Sequence, residues 1–370
     1  MDVLSNPYFL FILSTYLIWR ASSVFDVAAS YLTRDLKPGI KGPTINAIAS
    51  SLPELIISCI FLLKFKDIVG FSAGFATIVG SSMFNIALIP TIAFLVVYFQ
   101  RKHSVFTTHK NIILQDGLFL IFAELLLLGA MYTAGISRTM ALLLMGIYVL
   151  YVIYIYRSRM KGDDDEMAVQ EEYEIEHMGW LKNALLLNLF PFFNRKGEIN
   201  SLTAIVVALI SVGIIGWSCN SLVLACETFA HDLGIGLFVV SFVVAAIASS
   251  FPDTLLSIKD AQKGKFKDAF SNAYGSNIFD ICICIGLPVF VFLLINNGQD
   301  QLEGLSANYL VLSSALLLVV FTIIISFLYY ISDIKLWNSL VIIGLYGVFL
   351  GSVLWLSNHP EIVAGVLNNW

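Results

Sequence analysis

The sequence predicts an all-α integral membrane protein of ten transmembrane helices, arranged as two inverted five-helix repeats with broken motif-bearing helices. Three observations carry this. Of 370 residues, 58% are hydrophobic and only 13% charged, with a mean hydropathy of +0.84, whereas a soluble chain is about a quarter charged. Ten mostly apolar stretches approach or exceed the roughly 20 residues that cross a bilayer. Two short motifs recur, in the same order, in each half of the chain.

The stretches run near 7–31, 40–63, 68–99, 111–133, 136–156, 202–230, 234–258, 268–296, 306–331 and 336–357. The first follows Met-Asp without a basic region or a persuasive cleavage site, so it is expected to remain as a helix. No period-2 alternation with short turns appears, which argues against an outer-membrane barrel. Between the fifth and sixth stretches lies the one long polar interval, about 158–201. Its Asp163, Asp164, Asp165 and Glu166 read as a solvated linker, with calcium binding as the alternative. The apolar piece at 181–193 is too short to span and contains Pro191, so it is expected at the interface. The chain thus divides into 1–157, a cytoplasmic linker 158–201 with a possible interfacial segment, and an inverted second repeat 202–370.

Basic residues set the orientation, because cytoplasmic loops carry excess Lys and Arg. With the linker inside, 17 of the 21 basic residues fall on that side, leaving Lys64, Lys66 and Arg138 opposite and Arg20 within the first helix. Both termini are then expected outside, in a multi-pass protein of the cell (inner) membrane. Five helices per block force the two blocks into opposite orientations.

The blocks are related. IASSLPEL at 48–55 recurs as IASSFPDT at 247–254, and GSSMFNI at 80–86 recurs as GSNIFDI at 275–281, with offsets of 199 and 195 residues. Trp19 and Trp217 precede the motif prolines by 34 and 35 residues, which extends the correspondence weakly. Inverted repeats with interrupted helices mark secondary transporters whose site lies between the repeats near the midplane. Pro53 and Pro252 lack an amide hydrogen, so carbonyls near Ala47, Ser50, Ala246 and Ser249 are expected to face a cavity. Gly80-Ser81 and Gly275-Ser276 are expected to interrupt their helices similarly.

Beside each proline stands an acid, Glu54 in one repeat and Asp253 in the other. A single acid could snorkel from a helix end, but a duplicated acid beside hydroxyls and a helix break points to a cation in a cavity. Carboxylate, hydroxyl, carbonyl and water are the oxygen ligands that calcium takes, six to eight at a time. No His or Cys joins the motifs, which disfavours softer metals. The second motifs add Asn85, an uncharged oxygen, and Asp280, either ionised or protonated. Three acids set a maximum cluster charge of −3.

At these motifs the sequence resembles the sodium/calcium exchanger family of the calcium/cation antiporter superfamily. The resemblance rests on Ala49-Ser50-Ser51-Leu52-Pro53-Glu54 with Gly80-Ser81-Ser82-Met83-Phe84-Asn85, and on Ala248-Ser249-Ser250-Phe251-Pro252-Asp253 with Gly275-Ser276-Asn277-Ile278-Phe279-Asp280. It implies calcium–sodium antiport by alternating access, with Glu54, Asp253, Ser50 and Ser249 around calcium. It implies flanking sites for sodium or another coupling cation drawn from Ala47, Ser51, Ser81 and Asn85, and from Ala246, Ser250, Ser276 and Asp280. Alanine at 49 and 248 replaces the family's usual glycine, and Asp253 is one methylene shorter than the Glu of many members. Asp at 280 also occurs in potassium-dependent members, so potassium involvement stays open beside proton coupling.

Other polar residues take plainer readings. Arg20, Asp26, Asp116, Glu124 and Glu227 are expected to pair between helices or sit at the interface. The five cysteines, Cys59, Cys219, Cys226, Cys282 and Cys284, read as core packing, and the five histidines have no obvious metal partner. A cation channel would use the same acids as a filter, but without a ring of like elements. An intramembrane aspartyl protease lacks its glycine-aspartate motifs. A net charge of −5 without a basic, aromatic-interleaved patch disfavours nucleic acid, and no phosphate-binding glycine loop follows a strand, which disfavours ATP-driven pumping. The expected partners are calcium, monovalent cations and the lipid bilayer, with no enzymatic activity, no cofactor and no obligatory protein partner.

Overall fold

A computed structural model describes residues 6–34, 40, 42–101, 104–108, 110–133, 135–160, 179–193, 199–296, 301–302 and 308–359. The acidic run 163–166 and the basic residues Lys37, Lys41, Lys102, Lys161, Arg195 and Lys196 lie outside them. Among the described residues nine helices are long and apolar enough to cross a bilayer, and the bent pair in α2 taken as one span makes ten, in the order of the ten apolar stretches: α1 (Pro7–Leu32), α2 (Thr44–Ser50 and Leu52–Phe65), α3 (Ile68–Phe99), α4 (Lys110–Thr133), α5 (Arg138–Ser158), α6 (Ser201–Leu233), α7 (Leu237–Gln262), α8 (Ala269–Ile295), α9 (Tyr309–Ile331) and α10 (Leu336–Asn358).

Local chemistry sets the helix ends. Asn6 Oδ1 accepts from the Tyr8 amide at 2.9 Å, with Pro7 at the first helical position. Asp67 caps α3 by accepting from the Val69 and Gly70 amides at 2.9 and 3.0 Å, and Asn200 caps α6 through the Thr203 amide at 2.8 Å. Such caps satisfy amides that the helix itself cannot. Gly234 ends α6 with φ of 65°, a left-handed turn that glycine adopts without steric cost.

The surface is inverted relative to a soluble protein. Leu118, Phe122, Leu150, Leu209, Phe327 and Leu340 point outward and exposed, while Asp116, Glu124, Asn85, Asp253 and many Ser and Thr are buried. This suits a hydrocarbon solvent, in which polar side chains must find partners inside the bundle. The chain is therefore a polytopic α-helical membrane protein.

The motif helices α2, α3, α7 and α8 form the centre. Helices α1 and α6 pack along one another and on α2 and α7, sharing an apolar cluster that includes Ile18, Ile57, Phe61, Leu222 and Val223. On the other flank α9 packs on α4 and α3, and α5 on α8. Each flanking helix thus touches motif helices of the opposite repeat. Two short pairings close the loops: β1 (Ile136–Ser137) lies antiparallel to β2 (Gln301–Leu302), and Phe106 bridges Ile334.

The motif helices are irregular, in two forms. Helix α2 breaks at Ser51 and bends by 47°, whereas α7 continues helically past Pro252. One local difference is Thr254, whose hydroxyl donates to the Ser250 carbonyl at 3.0 Å; the equivalent Leu55 has no hydroxyl. The expected interruption at Gly80-Ser81 and Gly275-Ser276 does not occur there. Helix α3 stays α-helical to Met83 and widens into a π-turn at Phe84–Leu88, and α8 does so at Asp280–Cys284. Matching π-turns precede the other motifs, at Gly42–Asn46 and Ser241–Ala245. Glycine tolerates helix when packing holds it, and the wider turns fall where buried Asn85 and Asp280 enter the lattice of helices.

The linker piece 179–193 packs on the helix bundle. It contains short helices Trp180–Leu185 and Phe190–Phe193 and lies against α1 and α6, with Phe190 packed among Val24, Ala28, Ala204 and Val207. Arg20 accounts for its intramembrane charge here: its Nε donates to the Leu186 carbonyl at 2.6 Å, and Tyr16 donates to Leu185 at 2.7 Å. A cation at a helix C-terminus meets carbonyls that no amide has claimed.

Candidate cation site

The four motif helices bring both repeats to one place. Glu54 and Asp253 are 0% and 1% exposed, which places both acids in the protein interior at the centre of the bundle. Their partners correspond pairwise. Ser81 donates to Glu54 Oε1 at 3.1 Å, and the equivalent Ser276 donates to Asp253 Oδ1 at 3.1 Å. The repeats also cross. Ser250 of the second donates to Ser81 of the first at 2.9 Å, and Ser50 of the first meets Ser276 of the second at 3.4 Å. Ser249 approaches Glu54, as Ser50 approaches Asp253. Two matched hydrogen-bonded clusters, each drawn from both repeats, make up this polar ring: Glu54, Ser81 and Ser250 in one, and Asp253, Ser276 and Ser50 in the other.

Gly80 explains how the helices come so close. A Cβ there would collide with the Phe242 carbonyl oxygen and stand 2.7 Å from Ala246 Cβ. Only glycine lets α3 press its backbone onto the π-turn of α7.

Several oxygens around the ring make no well-formed hydrogen bond: Glu54 Oε2, Asp253 Oδ2, Asn85 Oδ1, and Asp280 Oδ2 and Ser51 Oγ, whose side chains approach one another. Buried polar atoms normally find partners, so this concentration of unclaimed oxygens suits a bound cation. The Ala47 and Ala246 carbonyls are already engaged, the first by the Ser51 amide at 3.0 Å and the Ser50 hydroxyl at 3.3 Å, the second by Ser249 at 3.2 Å. Asp280 is fully buried one π-turn beyond the ring, beside Cys284 Sγ at 3.6 Å. It lies within electrostatic reach of Glu54 and Asp253, but among the described residues no three acidic, His or Cys side chains converge on a single point. A calcium shell here draws on two carboxylates and completes itself with hydroxyl, amide, carbonyl and water oxygens.

Sequence reasoning missed four neighbours. Asn272 Nδ2 donates to Asp253 Oδ1 at 3.2 Å, so Asp253 holds two side-chain donors on one oxygen. Asn277 Nδ2 ties α8 to the Ser82 carbonyl at 2.8 Å. Cys219 lies 3.7 Å from the Pro53 carbonyl and Cys284 3.8 Å from that of Ser51, so two cysteines read as core packing line the broken segments. The spacing held one clue: Asn272 precedes Ser276 by four residues, on the same helix face.

The sequence profile of the family described as sodium/calcium exchanger protein matches residues 6–157 and 203–355. The chain belongs to that family. Inner membrane protein YrbG of Escherichia coli is 26% identical over 309 residues, covering 82% of this chain and 84% of YrbG. Among solved structures, an H+/Ca2+ exchanger, CAX, superposes with a TM-score of 0.65 at 16% identity, over 98% of this chain and 91% of its own. The sodium-calcium exchanger NCX_Mj superposes at 0.58 and 19% identity, over 95% and 99%. Both share this fold. The family places the protein among exchangers of calcium and other cations.

Proposed function

We propose that this protein is a secondary antiporter that exchanges calcium for sodium by alternating access, with Glu54 and Asp253 as the shared cation ligands. The carrying observation is the cross-repeat ring, in which two acids from opposite repeats are each held by a matched serine while one oxygen of each stays unclaimed. Ser50 and Ser249 complete the calcium set. Ala47, Ser51, Ser81 and Asn85 flank it on one side, and Ala246, Ser250, Ser276 and Asp280 on the other, as sites for the monovalent ion. Two carboxylates balance one divalent ion or two monovalent ions, so simultaneous occupancy would crowd excess positive charge into a water-poor cavity. Competition between the ions follows from that limit.

The packing supports a moving pair. Helices α1 and α6 run together over α2 and α7, and Trp19 on α1 meets Phe251 beside Pro252, edge to face at 5.6 Å. Sliding of this pair would open the ring to either side in turn. The division into repeats 1–157 and 202–370 around a cytoplasmic linker 158–201, with both termini outside, follows from the symmetry and from the basic-residue count. The profile matches, which stop at 157 and resume at 203, support it.

The test is purified protein in liposomes, with calcium flux measured under sodium, proton and potassium gradients imposed one at a time. Calcium flux driven by a sodium gradient, and calcium affinity that falls as sodium rises, are the expected results. Flux driven by protons alone would replace sodium with a proton, the coupling named for CAX. Flux with no counter-gradient requirement would make the protein a channel.

A further inference from the structure

A second buried polar layer lies on the far side of α8 from the motif ring. Its members come from α4, α8 and α9. Glu124 is 3% exposed; its Oε1 accepts from Thr322 at 3.0 Å, and its Oε2 has no protein donor. Two helical turns away on α4, about 12 Å by helical rise, Asp116 Oδ2 accepts from Ser271 at 3.4 Å. Between these levels Tyr274 donates to Ser326 at 2.9 Å. Helix α8 thus carries Ser271 and Tyr274 on this layer and Asn272 and Ser276 on the ring. The layer is no copy of the ring, because α9, the counterpart of α4 in the second repeat, has no acid between 309 and 331.

The chemistry around Glu124 selects its ligand. Calcium requires six to eight oxygens, and Glu124 with Thr322 supplies three. The titratable groups that share this layer are Asp116 on its own helix and Tyr274 on α8, which lies within electrostatic reach of both acids. Helix α9 presents the hydroxyls of Thr322 and Ser326, and its Tyr329 is engaged with the Ile86 carbonyl. Helix α5 packs on α4 through Tyr151, whose ring meets Phe119 edge-on. Asp280, farther along α8, faces Cys284 and the ring. None of these groups is a cation, and a carboxylate at membrane depth demands one. A proton is the one cation that a single oxygen can bind.

We propose that Glu124 is a proton-binding carboxyl, forming a second ion site separate from the Glu54–Asp253 ring. Because α8 serves both layers, proton occupancy at Glu124 and cation occupancy of the ring bias each other reciprocally, whichever ion the ring exchanges. The test uses the full-length protein in lipid vesicles. Infrared difference spectra between acid and alkaline buffer are recorded for wild type, Glu124→Gln, Thr322→Val and Asp116→Asn. The expected wild-type spectrum carries a protonated-carboxyl C=O band that vanishes in Glu124→Gln, shifts in Thr322→Val, which deletes the donor, and persists in Asp116→Asn. Glutamine retains the size of Glu124 and still accepts the Thr322 hydroxyl. In parallel, a pH-indicator dye counts protons exchanged per calcium bound, a number expected to change by up to one in Glu124→Gln. A Glu124→Gln spectrum superimposable on wild type overturns the proposal, as does an unshifted band in Thr322→Val. The readout is independent of the ring: Glu54→Ala should weaken calcium binding at least about 30-fold and leave the Glu124 band in place.

Discussion

Gly80→Ala is a sharp single perturbation of this architecture, because it adds one methyl group where backbone of the two repeats meets closely. The new Cβ would meet the Phe242 carbonyl oxygen, a backbone atom that cannot rotate away, and Ala246 Cβ at 2.7 Å, where ordinary contact begins at 3.4 Å. Helix α3 and the π-turn of α7 must therefore part by at least about 0.7 Å, the difference between those distances. Ser81 is the next residue. A shift of that size carries its 2.9 Å bond from Ser250 to about 3.6 Å, past the limit of a useful hydrogen bond, and loosens its hold on Glu54. Overpacking of this kind costs roughly 1–3 kcal/mol, which as lost calcium affinity is about 5- to 150-fold. Calcium titration calorimetry and thermal unfolding in detergent measure the two consequences. Gly129→Ala is the control: nothing lies within 4 Å of a Cβ there, and the change should be neutral or slightly stabilising. If Gly80→Ala unfolds and binds calcium as wild type does, the close approach of α3 to α7 does not position the ring.

Three further outcomes follow from the same geometry. Glu54→Ala or Asp253→Ala should each weaken calcium binding by at least about 30-fold, the lower end of what truncating one partner of a buried charge contact costs; normal affinity in either folded variant, by calorimetry, removes that residue from the site. Asp280→Asn should change the sodium, potassium or pH dependence of transport more than it changes calcium affinity, because Asp280 stands outside the ring but within electrostatic reach of Glu54 and Asp253; unchanged monovalent dependence in an active variant refutes that role. Arg20→Met should free the linker piece, since the Leu186 carbonyl loses its donor, and faster proteolysis within 179–193 is the measurable sign; unchanged cleavage would show that apolar packing of Phe190 alone holds it.

Much of this protein was legible in one dimension. Spans are written locally: each is a run of apolar residues of bilayer length, and all ten appear in the predicted order. The inverted relation between the halves came from motif repetition and from an odd number of spans per block. The acids beside Pro53 and Pro252 were legible because hydrocarbon makes a buried carboxylate too costly to keep without a use. Hydropathy could not say which hydroxyl meets which acid. Ser81 and Ser250 are 169 residues apart and Ser50 and Ser276 are 226 apart, so those bonds depend on how four helices cross. The same holds for Asn272 on Asp253, for Arg20 on the Leu186 carbonyl, and for the polar layer around Glu124. The π-turns also lie beyond the motif glycines rather than at them, because a glycine only permits an irregular backbone, and packing decides where it occurs. A bilayer accounts for the division. It exacts its cost from each segment separately and so leaves a record in the sequence, whereas the contacts between helices form inside a uniformly apolar solvent, where the pattern along one helix does not name its partner on another.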